Sequence, residues 1–368
     1  MRISFQSSAL TLAIIILAGC GGHQAGNAFV PPAAAPPDTT PQGNADGNVV
    51  PDAGGSGLVE FPTPWKQGLT YIASDGNGNE WTGVSNPSRM VRINEGSGFI
   101  TDFAIPGEDA APYGVALGRN RNGMWFTQPA SNRLGYIRFS DNKFRLFTLS
   151  GPQVGLRGIT AGPDNAMRFA ESRAEKIGRI SVNGFGITAY SVAPCDAQMI
   201  TAGGDGALWF TSNCGIGRIT TGGQISTFQL GGLRVALGIT TGPDGAIWYT
   251  GITHDAGSFV GRIDLKSHKR AIYNLFSGDQ GTWDIATRGR YLYMTNPWNT
   301  AKPYIDHFNT DTHAIARGTL PFKYEKPYGI VLGTDCQLWF TNKIIPTISE
   351  IAFGKLCPGL THRQCQSA

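Results

Sequence analysis

One pattern recurs along most of this chain and constrains its fold more than any other feature. A small residue precedes an Ile or Val, and eight to ten residues later stands a Trp or a substitute for it. The aliphatic markers are Ile72, Val115, Ile159, Ile200, Ile239, Ile285 and Ile330, spaced 39 to 46 residues apart. Their partners are Trp81, Trp125, Arg168, Trp209, Trp248, Tyr293 and Trp339. Turn signals such as Gly203-Gly204-Asp205-Gly206 and Gly242-Pro243-Asp244-Gly245 separate the two, and such sequences supply the positive φ of tight hairpins. A third strand follows, as in Ile177-Gly178-Arg179-Ile180, Ile216-Gly217-Arg218-Ile219 and Val260-Gly261-Arg262-Ile263. A fourth carries an aromatic residue: Phe103, Phe147, Tyr190, Phe228 or Tyr273.

Four short strands per repeat, seven times over, predict an all-β, seven-bladed β-propeller. The 50 glycines among 368 residues agree, because glycine weakens a helix interior by roughly 1 kcal/mol. The seventh unit lacks a good fourth strand after its third, at Ile348 to Phe353. Leu58-Val59-Glu60-Phe61-Pro62 reads as that missing strand, so the N-terminal segment is expected to pair into the last blade and close the ring. Residues 57–354 then form one domain, and 355–368 a C-terminal tail. Two separate β-sandwiches give no account of the single period.

The N-terminus reads differently. Arg2 precedes a short apolar run from Ala9 to Ala18, too short to span a bilayer. Leu17-Ala18-Gly19-Cys20 resembles the lipobox of bacterial lipoproteins, which implies cleavage after residue 19 and lipidation of Cys20; the alternative is an ordinary secretory signal. Gly21 stands where Asp signals inner-membrane retention, so the resemblance implies an outer-membrane anchor in the cell envelope. Residues 21–56 are Gly, Ala, Pro, Asn and Thr with few large apolar side chains, a composition expected to form a tether.

Composition excludes other classes. Charged residues make up 15% and hydrophobic residues 41%, enough for a core. A formal charge of +4 with no Lys/Arg cluster does not predict a nucleic-acid surface. The expected state is a monomer that meets the membrane only through its lipid. Of six cysteines, Cys195 and Cys214 flank one hairpin symmetrically and are expected to form a disulfide in an oxidising compartment. Cys336 can reach Cys357 in the same way, leaving Cys365 over. No CxxC pair suggests zinc. Asp75-Gly76-Asn77-Gly78-Asn79-Glu80 alternates oxygens like a calcium loop, but Glu80 replaces the required glycine and the segment already serves as a hairpin turn.

The repeat also locates a mouth. The residue before the small one in each unit begins an inner strand: Thr70, Tyr113, Arg157, Gln198, Leu237, Trp283 and Tyr328. The second strands end on the same rim at Gln128, Glu171, Ser212, Gly251, Asn296 and Asn342. Tyr113, Arg157, Gln198, Trp283, Tyr328, Asn296 and Asn342 are the candidate ligand-binding residues, with Arg157 and Glu171 as expected cross-strand neighbours. Flat aromatic faces and directional amides suit a neutral, ring-containing or sugar-like small molecule, a glycan or a protein partner. The same aromatic residues can instead simply plug the channel.

The segments Gly238-Ile239-Thr240-Thr241-Gly242-Pro243-Asp244-Gly245-Ala246-Ile247-Trp248-Tyr249-Thr250 and Ile200-Thr201-Ala202-Gly203-Gly204-Asp205-Gly206-Ala207-Leu208-Trp209-Phe210-Thr211 resemble the repeats of streptogramin B lyases, also called virginiamycin B lyases. The resemblance spans about residues 65–353. It implies a seven-bladed propeller and a carbon–oxygen lyase that opens a cyclic ester by elimination, with Mg2+ and a histidine base. The family's histidines begin inner strands in the last two units, where this chain has Trp283 and Tyr328. Glu171 and Asp284 are the remaining candidates for a base, if burial raises a carboxyl pKa. A metal-dependent lactonase of the gluconolactonase kind is a third reading, kept by Glu171, Asn296 and Asn342 and opposed by the count of seven.

Overall fold

The computed structural model describes residues 2–3, 57–65, 68–107, 111–231, 234–254, 257–276, 281–298, 303–320, 326–344 and 346–353. Antiparallel strands fill seven sheets. The first blade runs through Leu69–Ser74, Asn79–Val84, Arg89–Asn94 and Ile100–Ala104. The last contains Pro327–Leu332, Leu338–Asn342 and Thr347–Ala352, and its fourth strand is Gly57–Pro62 from the other end of the chain. Phe61 pairs with Ile348 across this join. Inner strands of successive blades touch all the way round, the last meeting the first. The seven-bladed, N-terminally closed propeller is therefore the observed fold.

Each feature of the repeat has a packing role. The Trp residues are fully buried and stack on the fourth-strand aromatic: Trp81 on Phe103 at 5.4 Å, Trp125 on Phe147 at 5.6 Å, Trp209 on Phe228 at 5.3 Å. In the closing blade Phe61 takes that place, 5.4 Å from Trp339. The layer continues into the next blade, as where Trp81 meets Phe139 at 5.6 Å. Such stacks contribute about 0.5–1.5 kcal/mol each beyond area burial.

The turn aspartate holds two donors. Asp244 accepts Trp248 Nε1–H at 2.9 Å and Arg262 Nε–H at 2.6 Å; Asp205 does the same for Trp209 and Arg218. In the third blade Arg168 replaces the Trp, reaches Asp164 at 2.8 Å and lies 5.5 Å over Tyr190. The glycine of the I-G-R-I segment is also steric: a Cβ at Gly217 would meet the ring of Phe210. The calcium-like loop is spent internally, since Asp75 accepts from the backbone of Asn77 and Asn79 and from Trp81 Nε1.

Arg2–Ile3 pairs with Leu58–Val59 as a fifth strand at the outer edge of the closing blade. The expected tether 21–56, the tail 355–368, Cys20, Cys357 and Cys365 lie outside the described residues.

Candidate functional site at the channel mouth

Most inner strands begin with a bulge. The register shifts between Leu69 and Ile72, Leu156 and Ile159, Ala197 and Ile200, Ala236 and Ile239, and Pro327 and Ile330. The two residues inside each bulge leave the blade's own ladder, which frees them to shape the mouth. A threonine two residues after the Trp position compensates. Thr250 Oγ1 accepts Gly238 N–H at 2.9 Å and donates to Trp283 O of the next blade at 2.9 Å. Thr295 links Asp284 N–H to Tyr328 O, and Thr341 links Gly329 N–H to Thr70 O. These hydroxyls lock neighbouring blades at the rim. Sequence reasoning missed them, although the signal was present in Trp209-Phe210-Thr211, Trp248-Tyr249-Thr250 and Trp339-Phe340-Thr341.

Aromatic rings gather over the axis. Tyr71 packs 5.2 Å from Tyr113 and 5.1 Å from Tyr328, and Trp283 lies 5.2 Å from Tyr328. Tyr328 Oη donates to Tyr113 Oη at 3.3 Å. Tyr71 was not foreseen as a site residue because it occupies the small-residue slot of its unit. Two clefts flank this cluster. One of about 460 Å³ is lined by Thr70, Ser85, Pro112, Tyr113, Tyr328 and Lys343. The other, about 130 Å³, is lined by Tyr71, Tyr113, Gln198, Asn213, Leu237 and Trp283.

Cations border the aromatic faces. Arg157 lies over the Tyr113 ring at 5.3 Å and Lys343 Nζ over Tyr328 at 4.4 Å. Burial and the like charges of Lys326 and Arg157 hold the Lys343 pKa below its ordinary value.

The remaining candidates fall elsewhere. Asn296 is fully buried and donates to Tyr304 Oη at 2.7 Å; Asn342 is fully buried and donates to Thr347 at 2.7 Å and Ser349 at 3.1 Å. These amides brace their own blades and line neither cleft. Glu171 pairs in register with Leu156, and no ion pair joins it to Arg157 among the described residues. Arg157 turns to the Tyr113 face, while burial raises the Glu171 pKa against the pull of Lys176. Asp284 is buried in the sixth unit's small-residue slot, where its Oδ2 accepts Ile330 N–H at 3.0 Å. Burial pushes its pKa up to about 7, against the backbone N–H groups of Ile330 and Ile285.

Cys195 and Cys214 form a disulfide with Cα atoms 5.5 Å apart. Cys336 is also disulfide-bonded. No histidine lines either cleft. His307 is buried in the sixth blade, which lowers its pKa to about 4, and His268 and His313 pack against aromatic rings. The residues at the mouth do not fit the magnesium ion that the family resemblance implies. They present cations and phenols, and no group of three His, Cys, Asp or Glu among the described residues can hold a metal.

Fold and mouth together define a seven-bladed propeller whose inner strands begin at an aromatic cluster. A model of the Virginiamycin B lyase family matches residues 122–351. The chain belongs to that family. Among solved structures it is similar to a streptogramin B lyase, with 26% identity, a TM-score of 0.72, and coverage of 80% of this chain and 97% of that one. It is also similar to a catalytically inactive histidine-to-alanine variant of virginiamycin B lyase from Staphylococcus aureus, with quinupristin: 28% identity, TM-score 0.72, coverage 80% and 99%. Hydrazine synthase from Kuenenia stuttgartiensis, at 14% identity and TM-score 0.66, shares the fold. No curated protein matches the chain.

Proposed function

We propose that this protein is an envelope-anchored propeller that binds a small-molecule, glycan or protein ligand at the channel mouth. The observation that carries the reading is the cleft of about 460 Å³ opening beside Tyr113 and Tyr328. Such a concave, aromatic pocket with a few polar groups is the usual form of a ligand site. The test is calorimetric binding with Trp283→Ala and Tyr328→Ala; unaltered affinity in both places the site elsewhere. The anchor rests on Cys20 and the apolar run before it. Incorporation of a palmitate analogue by the parent chain and not by Cys20→Ser is the expected result, and equal labelling refutes it.

Family membership favours a second reading, a carbon–oxygen lyase that opens a cyclic ester such as a type B streptogramin. Elimination needs a base that takes a proton near neutral pH. Trp283 and Tyr328 stand where the resemblance places histidines, and neither serves. Glu171 and Asp284 are both buried; burial raises both carboxyl pKa values, that of Asp284 to about 7, and Asp284 already accepts Ile330 N–H. The purified protein is incubated with Mg2+ and a type B streptogramin. A linear product of unchanged mass establishes the lyase; intact substrate leaves the binding reading.

A further inference from the structure

The larger cleft at the mouth is lined by one cation, Lys343, and by no carboxylate. Lys343 Nζ lies 4.4 Å over the Tyr328 ring and Arg157 5.3 Å over the Tyr113 ring, and the two phenols meet at 3.3 Å, so the two cations flank one aromatic pair. Lys343 N–H donates to Lys326 O at 3.0 Å, which fixes the two lysines side by side where the seventh inner strand begins. None of the three has a carboxylate partner among the described residues, unlike Arg179, Arg218 and Arg262 on the turn aspartates. The nearby acids are otherwise engaged. Asp284 is buried on Ile330 N–H, Glu171 is buried, and Asp196 at the second cleft accepts Asn213 N–H at 2.8 Å. Two further donors lack an acceptor: Arg157 Nε and Trp283 Nε1.

Cations without carboxylate partners repel one another, and a ligand that brings a carboxylate relieves that repulsion. Flat Tyr and Trp faces beside them suit a ring. We infer that the mouth recognises a ring bearing a carboxylate, of the uronic-acid oligosaccharide class, with the ring on Tyr113, Tyr328 and Trp283 and the carboxylate between Lys343 and Arg157. This rests on the mouth-binding reading and narrows its ligand class. It departs from the neutral ligand that the repeat positions suggest, because Lys326 and Lys343 lie outside those positions.

The probes are an oligogalacturonate and its methyl ester, which keeps the rings and removes the charge. Binding to the full protein is measured by calorimetry at low and high salt. The acid is expected to bind about tenfold more tightly than the ester, with the difference shrinking in high salt. Lys343→Met should remove that preference, Lys343→Arg should retain it, and Lys266→Met, on a distant turn, should change nothing. If both probes bind equally, or Lys343→Met leaves the preference intact, the charge inference falls. The mouth reading then survives provided Trp283→Ala weakens both. If neither probe binds, the uronic-acid class falls and the mouth reading stands on its own test; if folded Trp283→Ala and Gln198→Ala variants bind the acid as the parent does, both readings fall.

Discussion

Two buried side chains at the mouth carry consequences that single substitutions expose. Thr295 Oγ1 accepts Asp284 N–H at 3.1 Å and donates to Tyr328 O at 2.7 Å, joining blades six and seven. Thr295→Val keeps the shape and strands both backbone groups. The expected loss is about 1–3 kcal/mol, read as a lower denaturant midpoint at unchanged slope. Asp284 makes a pH-dependent contribution. Its carboxyl titrates near 7 in the fold against 3.8 unfolded, so the folded state holds the proton more tightly. The stability it contributes is fully present below pH 4 and is lost as pH rises through 7, by about 4 kcal/mol at most. Asp284→Asn can still accept Ile330 N–H. It is expected to match the parent at pH 4 and exceed it in thermal stability at pH 8; a parallel pair of pH profiles refutes the assignment.

At the level of the strand and hairpin, much was legible in the sequence, because each repeat solves the same packing problem with the same residues. The Trp slot, the fourth-strand aromatic and the turn aspartate recur at fixed offsets, so even Arg168 could be recognised in a Trp position. The mouth was less legible. Tyr71 replaces a small residue, and Lys343 lies just past a second strand; neither belongs to the recurring pattern. Asn296 and Asn342 do follow the pattern, yet their side chains bond within their own blades. They end strands at the right height, but a strand's faces alternate, and theirs turn into the blade. The disulfide of blade four depends on strand geometry alone. It ties the approach to Ala197–Ala202 to the hairpin before Gly215–Ile219, across 19 residues of chain. Closing such a loop is worth about 3 kcal/mol in the chain-entropy account. Cys195→Ser with Cys214→Ser should lower the unfolding midpoint accordingly in non-reducing buffer, and added reductant should shift the parent toward the double variant.

For the whole molecule, the seam between first and last blades decides whether seven sheets make a ring. Its main component is Gly57–Pro62, paired along its length with Thr347–Ala352 and placing Phe61 on Trp339. Glu95 of the first blade braces the seam, accepting the N–H groups of Thr334 and Asp335 in the seventh at 2.9 and 3.0 Å. The neighbouring charge of Glu95 adds to burial in raising the Asp335 pKa to about 6. That brace spans only a turn, whereas the strand covers an entire sheet edge. A chain beginning at residue 63 leaves Thr347–Ala352 with open hydrogen-bonding groups and Trp339 without its stacked ring. Open edges of this kind pair with other molecules. Gel filtration should therefore show the chain from residue 63 as oligomers with a broadened unfolding transition. A chain beginning at Gly57 lacks Arg2–Ile3 but keeps the closing strand, and is expected to remain monomeric with a sharp transition. If the two behave alike, the joining of the chain's ends is not what holds the propeller shut.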